Sequence, residues 1–449
     1  MDSFQSCQST AHTRTLFDAV AARLPSRLKL ASQLTSAYAD APVHSMTVSN
    51  VMGGMRGLPC ILWEVSGTDK DGITYHGRTL SELQGLLPSW NGSSQVSPEA
   101  MLWYLYTASV PTRAELEAFS ADLLRRSTLP AEVEEFCDRI SSDISSIAQM
   151  IMCLSVLAPS SKFTAALAQG VPKMQLWRYA LEDALDSTAR VPMIAARIYI
   201  NKYREGKHPD ALLDPRVDLA ENFTRLIGRV GDADFTELIR LYWGLHMDHG
   251  ANVSAHTMRL SGSAWSDPYL TLASGLISGT GILHAGAIIQ ALRYNQGMLS
   301  ALGTEPSDEA IEEYVTKTIA NGCVVPGYGH ALLRTADPRL EPIVHFLNCR
   351  PPQEDNEGAA MLRLIRLTTA IVPDVLRKHI PRMKSHAPNV DSLSGCLMYA
   401  QGLDVDFILL VMACSRGMGF MAQYVWDRAL GLPIERPLSI TMDQLMAQL

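Results

Sequence analysis

Apolar side chains recur at three- and four-residue spacing along most of this 449-residue chain, the period that turns one face of an α-helix toward a core. The pattern runs through residues 16–30, 114–126, 132–157, 163–169, 192–203, 235–246 and 409–430. Ser97-Pro98 and Val110-Pro111-Thr112 supply helix starts, with a capping residue or a proline near the first turn. Strand signal is confined to residues 60–67 and 73–78, a small hairpin across Asp69-Lys70-Asp71-Gly72. The fold class is therefore all-α, with that hairpin as its minor β element. Residues 351–357, opening on Pro351-Pro352, read as a polar surface loop. A chain of this length exceeds one ordinary core, so two domains are expected.

Composition removes several function classes. The net charge of −8 and a pI near 5.8 argue against a nucleic-acid surface, which draws its affinity from Lys and Arg on phosphates. No apolar run reaches the roughly 18 residues of a membrane span. Eight scattered cysteines without a Cys-x-x-Cys pair fit free thiols in a reducing compartment better than disulfides or zinc. The first 35 residues make a poor transit peptide, and Ala447-Gln448-Leu449 lacks the basic residue of a peroxisomal tripeptide. The expectation is an intracellular soluble protein, with cytoplasm, mitochondrion and peroxisome left open.

Chemistry concentrates in the second half of the chain. In Val324-Val325-Pro326-Gly327-Tyr328-Gly329-His330 two glycines flank an aromatic ring and hand a titratable imidazole to a loop; glycine there permits close backbone approach. Arg339 follows in Asp337-Pro338-Arg339. His246, His249 and His256 lie close together with Asp248, but without His-Glu-x-x-His or a further ligand set, so no metal is expected. His284 sits at a glycine-containing helix start, Gly281-Ile282-Leu283-His284-Ala285-Gly286. Asp391 ends the turn Pro388-Asn389-Val390-Asp391 in an apolar context that can raise its pKa; the same position suits a helix N-cap. Arg416 lies inside an apolar helix, where a charge is costly unless paired, and Arg436 follows in Glu435-Arg436-Pro437.

In this order the motifs resemble the citrate synthase family, and the likeness covers residues 46–437. Further blocks that carry it are Met52-Gly53-Gly54-Met55-Arg56-Gly57, Tyr203-Arg204-Glu205-Gly206, Asn252-Val253-Ser254-Ala255-His256-Thr257 and Ser266-Asp267-Pro268-Tyr269. The resemblance implies a homodimer of helical subunits, with a large domain over residues 1–283 and 392–449 and a small domain over 284–391. It implies that Asp391 removes a proton beside a thioester, His284 stabilises the enol or enolate, and His330 protonates the keto oxygen of oxaloacetate. It implies that His249, Arg339, Arg416 and Arg436, the last across the dimer interface, bind oxaloacetate. Val324, Val325, Gly327, Tyr328, Gly329 and Arg334 would hold coenzyme A. No cofactor is implied beyond the acyl-CoA substrate itself.

Most departures from the family pattern fall at the acyl end. The family's Gly-Pro-Leu-His-Gly-x-Ala-Asn is Gly281-Ile282-Leu283-His284-Ala285-Gly286-Ala287-Ile288, and its Ala-His-Ser-Gly after the carboxylate is Ser392-Leu393-Ser394-Gly395. A frequent Phe is Met412, and the His249 segment is one residue shorter than usual. Ile282, Ala285, Ile288, Leu393 and Met412 thus trade polar or aromatic groups for aliphatic carbon, and a longer acyl chain gains about 0.8 kcal/mol per buried CH2. The expected activity is condensation of oxaloacetate with an acyl-CoA longer than acetyl, an alkylcitrate synthase of the kind that serves secondary metabolism. Citrate synthase with acetyl-CoA, 2-methylcitrate synthase and a non-catalytic binding member are the alternatives.

Overall fold

The computed structural model describes residues 13–70, 72–209, 213–329, 333–350 and 356–449. Its architecture is helical, as the periodicity predicts. Two long helices, Leu176–Tyr203 and Val405–Ala429, pack against one another at the centre of the larger core. Around them lie Pro98–Thr107, Ser146–Leu157, Ala233–His246, Val253–Ser263 and Pro268–Gly279. All ten residues of Pro98–Thr107 are buried, with proline at its first turn, where the missing N–H costs nothing. Thr112 caps Arg113–Arg126, accepting from the Glu115 amide while Glu115 reaches back to the Thr112 amide, a reciprocal capping box.

Several boundaries differ from the sequence reading, each for a local reason. Residues 132–157 are two helices, Ala131–Arg139 and Ser146–Leu157, because Ser145 caps the second through the Ala148 amide. The helix read as 192–203 starts at Leu176 and carries Pro192 inside it. Its first half hides from a hydrophobic count because Asp183 is buried, accepting from Ser161 Oγ and the amides of Lys162 and Phe163. Residues 60–65 are not strand; the sheet has three short antiparallel strands, Ser66–Thr68, Ile73–Tyr75 and Arg78–Thr79. Most of the loop read as 351–357 lies outside the described residues, and Glu357 already opens the helix Glu357–His379.

One exclusion also needs correction. Val405–Ala429 is long and apolar enough to cross a membrane, as is the Ser146–Ala168 stretch. The first carries Arg416, and 83% of its apolar window is buried by protein, the behaviour of a core helix. The second is broken by the 3-10 turn Ala158–Ser160.

A second, separate core gathers Met298, Ile311, Val315, Leu364, Val372 and Leu376 from Ala287–Leu302, Asp308–Ala320 and Glu357–His379. It lies within the 284–391 span. The helix Asp391–Ala400 packs on Ala287–Leu302 and Glu357–His379 while giving Cys396, Leu397 and Met398 to the larger core. Asp391 therefore stands where the two cores meet.

Candidate active site

The small sheet exists to hold one loop. Tyr75 Oη donates to the Asp248 carbonyl and accepts from the Asp248 amide, both at 3.0 Å. The Asp248 carboxylate accepts from Trp63 Nε1 at 2.8 Å and from the Ser66 hydroxyl. Ser66 Oγ also accepts from the Gly250 amide at 2.9 Å. Gly250 has φ +62°, and a β-carbon there would lie 3.1 Å from Thr68 Oγ1, so glycine fits the turn where a larger residue would be strained. This grip fixes the backbone on both sides of His249, which is buried.

A second anchor is Asp337. Its carboxylate takes Arg339 Nε at 2.9 Å and Nη2 at 2.7 Å, a bidentate pair, and it also accepts from the Arg339 amide and the Val390 amide, each at 3.1 Å. Burial alone would raise the Asp337 carboxyl, yet the Arg339 charge and its hydrogen bonds hold it well below the usual range. One buried carboxylate thus orients the guanidinium and the residue preceding Asp391 together.

The glycine loop reinforces that position. Gly327 O accepts from the Asn389 amide at 2.9 Å, the Gly329 amide donates to Ala387 O at 2.9 Å, and Asn389 Nδ2 donates to Gly329 O at 2.7 Å. A β-carbon on Gly327 would lie 2.6 Å from Ser392 Cα, and one on Gly329 would lie 2.4 Å from Met383 Cε. Both glycines have positive φ. Their close approach is to the neighbouring turn and its surroundings. The Tyr328 ring enters the second core and Val325 is buried beside it, whereas Val324 is exposed. Arg334 is exposed, its amide bonded to Lys70 O at 3.0 Å.

Asp391 is the first residue of its helix; Val390 occupies the cap position without a side-chain bond. The cap role is therefore not what Asp391 does. Burial first, with the nearby Asp337 charge, pushes its carboxyl up to about 6, against the pull of Arg339 and Arg416. That is a carboxylate suited to taking a proton near neutrality.

Arg416 is 6% exposed. Its Nε donates to His246 O at 2.8 Å, and burial lowers its pKa despite Asp248 nearby. His246 donates from Nδ1 to Tyr242 O at 2.8 Å and stacks on the Tyr242 ring at 4.0 Å; burial and then Arg339 push it down to about 3. His284 Nε2 accepts from the Ser254 amide at 3.3 Å and lies 2.6 Å from the Ser254 hydroxyl, which also donates to Asn252 Oδ1 at 2.9 Å. An amide can only donate, so Nε2 is an acceptor and the ring proton sits on Nδ1. Burial and then Arg416 push His284 down to about 4, so the ring is neutral at pH 7.

The structure therefore brings Asp391, Arg339 and Arg416 within electrostatic range of one another, with His284 near Arg416 and His249 near Asp337. Arg436 is exposed in the C-terminal segment and does not join them within one chain. His330 lies outside the described residues. Asp337, Ser254 and Tyr75 were missed; only the adjacency of Asp337 to Arg339 hinted at any of them. Of the aliphatic departures, Ile282 is 61% exposed, and Ile288 packs against Gly395, where a β-carbon would lie 2.7 Å from Ile288 Cγ2. Met412 alone lines an apolar cavity, described below.

Comparison with known proteins bears on the family and the fold. Residues 54–438 match the family model described as citrate synthase, C-terminal domain. The peroxisomal citrate synthase of Saccharomyces cerevisiae is 38% identical over 97% of this chain and 94% of its own. The mitochondrial 2-methylcitrate synthase of Fusarium solani is 38% identical over 95% of this chain and 90% of its own. The fold matches the citrate synthase of Pyrobaculum aerophilum with a TM-score of 0.76 at 20% identity, covering 90% of this chain and 97% of the other. The chain belongs to the citrate synthase family. It is a transferase that condenses an acyl-CoA with oxaloacetate.

Proposed function

We propose that this protein joins oxaloacetate to an acyl-CoA longer than acetyl, giving an alkylcitrate and free coenzyme A. The observation that carries the reading is the apolar cavity lined by Met412, Ile147, Leu276 and Phe420, which shares Arg416 and Ser254 with the site. An acetyl group has no use for such a wall; each further CH2 buried there is favourable by about 0.8 kcal/mol.

In this reading Asp391 removes the proton from the carbon beside the thioester carbonyl. The Nδ1–H of neutral His284 donates to the carbonyl oxygen as negative charge develops on it. The resulting carbon nucleophile attacks the keto carbon of oxaloacetate, whose oxygen takes a proton from His330. Water then cleaves the thioester and coenzyme A leaves as the thiol. Arg339, Arg416 and His249 hold the carboxylates, and Arg436 reaches the partner's site in a homodimer. Its neighbour Glu435 is fixed by Arg259 at 2.8 Å and His256 at 3.2 Å, which supports a set path for that segment. The glycine loop and Arg334 serve coenzyme A.

A narrower reading has its own support. The open space in the cavity is about 20 Å³, room for about one water-sized group, and the Fusarium solani relative is a 2-methylcitrate synthase. Propionyl-CoA would fit without any rearrangement. The test is thiol release with oxaloacetate and single acyl-CoAs, with the product mass determined. An alkylcitrate from hexanoyl-CoA supports the proposal. Product from propionyl-CoA alone selects the narrower reading, and product from acetyl-CoA alone overturns both.

A further inference from the structure

The cavity lies between four helices, Ser146–Leu157, Val253–Ser263, Pro268–Gly279 and Val405–Ala429. Its apolar wall is built from Ile147, Leu276, Leu409, Met412 and Phe420. Two groups of the site open onto it: Ser254, which holds His284 through Nε2, and Arg416. The cavity therefore begins one residue behind the imidazole that faces the thioester carbonyl.

The glycines of Pro268–Gly279 differ in what they do. A β-carbon at Gly275 would lie 2.9 Å from Phe420 Cε2 and 3.0 Å from Met258 Cβ, so Gly275 lets two helices close. At Gly279 the nearest neighbour of a β-carbon would be Ser254 Cβ at 3.9 Å. Helix packing does not require glycine there, and a side chain at that position would occupy the cavity. Met412 is 9% exposed and unbranched, with a thioether that changes rotamer at low cost. Of the apolar lining side chains it has the most rotatable bonds, so it moves aside most readily.

Resting on the longer-acyl reading above, we infer that this cavity receives the alkyl tail of the acyl-CoA, with Met412 as its adjustable mouth and the bare face of Gly279 setting its depth. The tail is a hydrocarbon, since the wall offers it no polar side chain beyond Ser254 and Arg416, both engaged by the site. Tails beyond about one methylene enter by swinging Met412 out of the space it fills.

Two variants acting in opposite directions test this, each against acetyl-, propionyl- and hexanoyl-CoA at saturating oxaloacetate. Gly279→Leu should cut kcat/KM for hexanoyl-CoA by about tenfold or more while leaving acetyl-CoA within about threefold of wild type. Met412→Ala should raise kcat/KM for hexanoyl-CoA relative to acetyl-CoA by about threefold or more, which also guards against a Gly279→Leu protein that fails to fold. If wild type uses hexanoyl-CoA and the folded variants keep its chain-length profile, the cavity assignment is overturned while the longer-acyl reading stands. If wild type is best with acetyl-CoA, that reading falls first and takes this one with it.

Discussion

Ser254 holds His284 from two atoms, its amide at 3.3 Å and its hydroxyl at 2.6 Å, both on Nε2. The amide can only donate, so the ring proton sits on Nδ1, the end that faces substrate in the proposed reaction. Ser254→Ala keeps the amide bond and loses the hydroxyl bond. Turnover should fall about tenfold, the effect of loosening one hydrogen bond of about 1–1.5 kcal/mol, with KM for oxaloacetate nearly unchanged. A rise in that KM without loss of kcat would place Ser254 in carboxylate binding instead.

Asp391→Asn removes the proposed base without changing shape. Turnover should drop by about 10²-fold or more, and near-normal turnover in the folded variant would rule the role out. In wild type, kcat should decline below about pH 6, where the raised Asp391 carboxyl takes up its proton.

The same group makes a prediction about stability. Its pKa is raised in the folded state, so the folded protein binds this proton more tightly than the unfolded chain. The protonated form therefore favours folding, and that contribution fades as pH rises from about 4 through about 6. At pH 7.5 Asp391→Asn should melt about 1–3 °C higher than wild type, and the gain should vanish near pH 4. A lower melting temperature at both values would contradict the burial argument.

Asp337 orients Arg339 and the Val390 amide together. Asp337→Asn should weaken oxaloacetate binding by about tenfold and lower turnover as well, because it disturbs both the cation and the base. Arg416→Leu should weaken oxaloacetate binding by about 2–5 kcal/mol, the cost of removing one partner of a buried charge pair, as read by calorimetry. Unchanged affinity in the Arg416 variant would assign that guanidinium to structure alone.

The residues proposed to do chemistry stand out in the sequence because they break their surroundings. His284 and Asp391 follow turns, and Arg416 interrupts an apolar helix. The residues that aim them do not stand out. Asp337, Ser254 and Tyr75 work through backbone amides and across 30 or more residues of chain, a relation no local pattern records. Secondary structure fails in the same way. Asp183 breaks the apolar period of Leu176–Tyr203 because its partners, around Ser161, come from another helix. Composition likewise could not tell that Ile282 is exposed while Met412 lines a cavity; both are simply aliphatic until the chain folds.

The apolar cavity that shares Ser254 and Arg416 with the site is proposed to serve an acyl tail. Its most direct test is kcat/KM across acetyl-, propionyl-, hexanoyl- and decanoyl-CoA at saturating oxaloacetate. A several-fold rise per added carbon is expected, beyond the first through displacement of Met412, leaving acetyl-CoA a poor substrate. A maximum at acetyl-CoA with a steep fall beyond propionyl would contradict it.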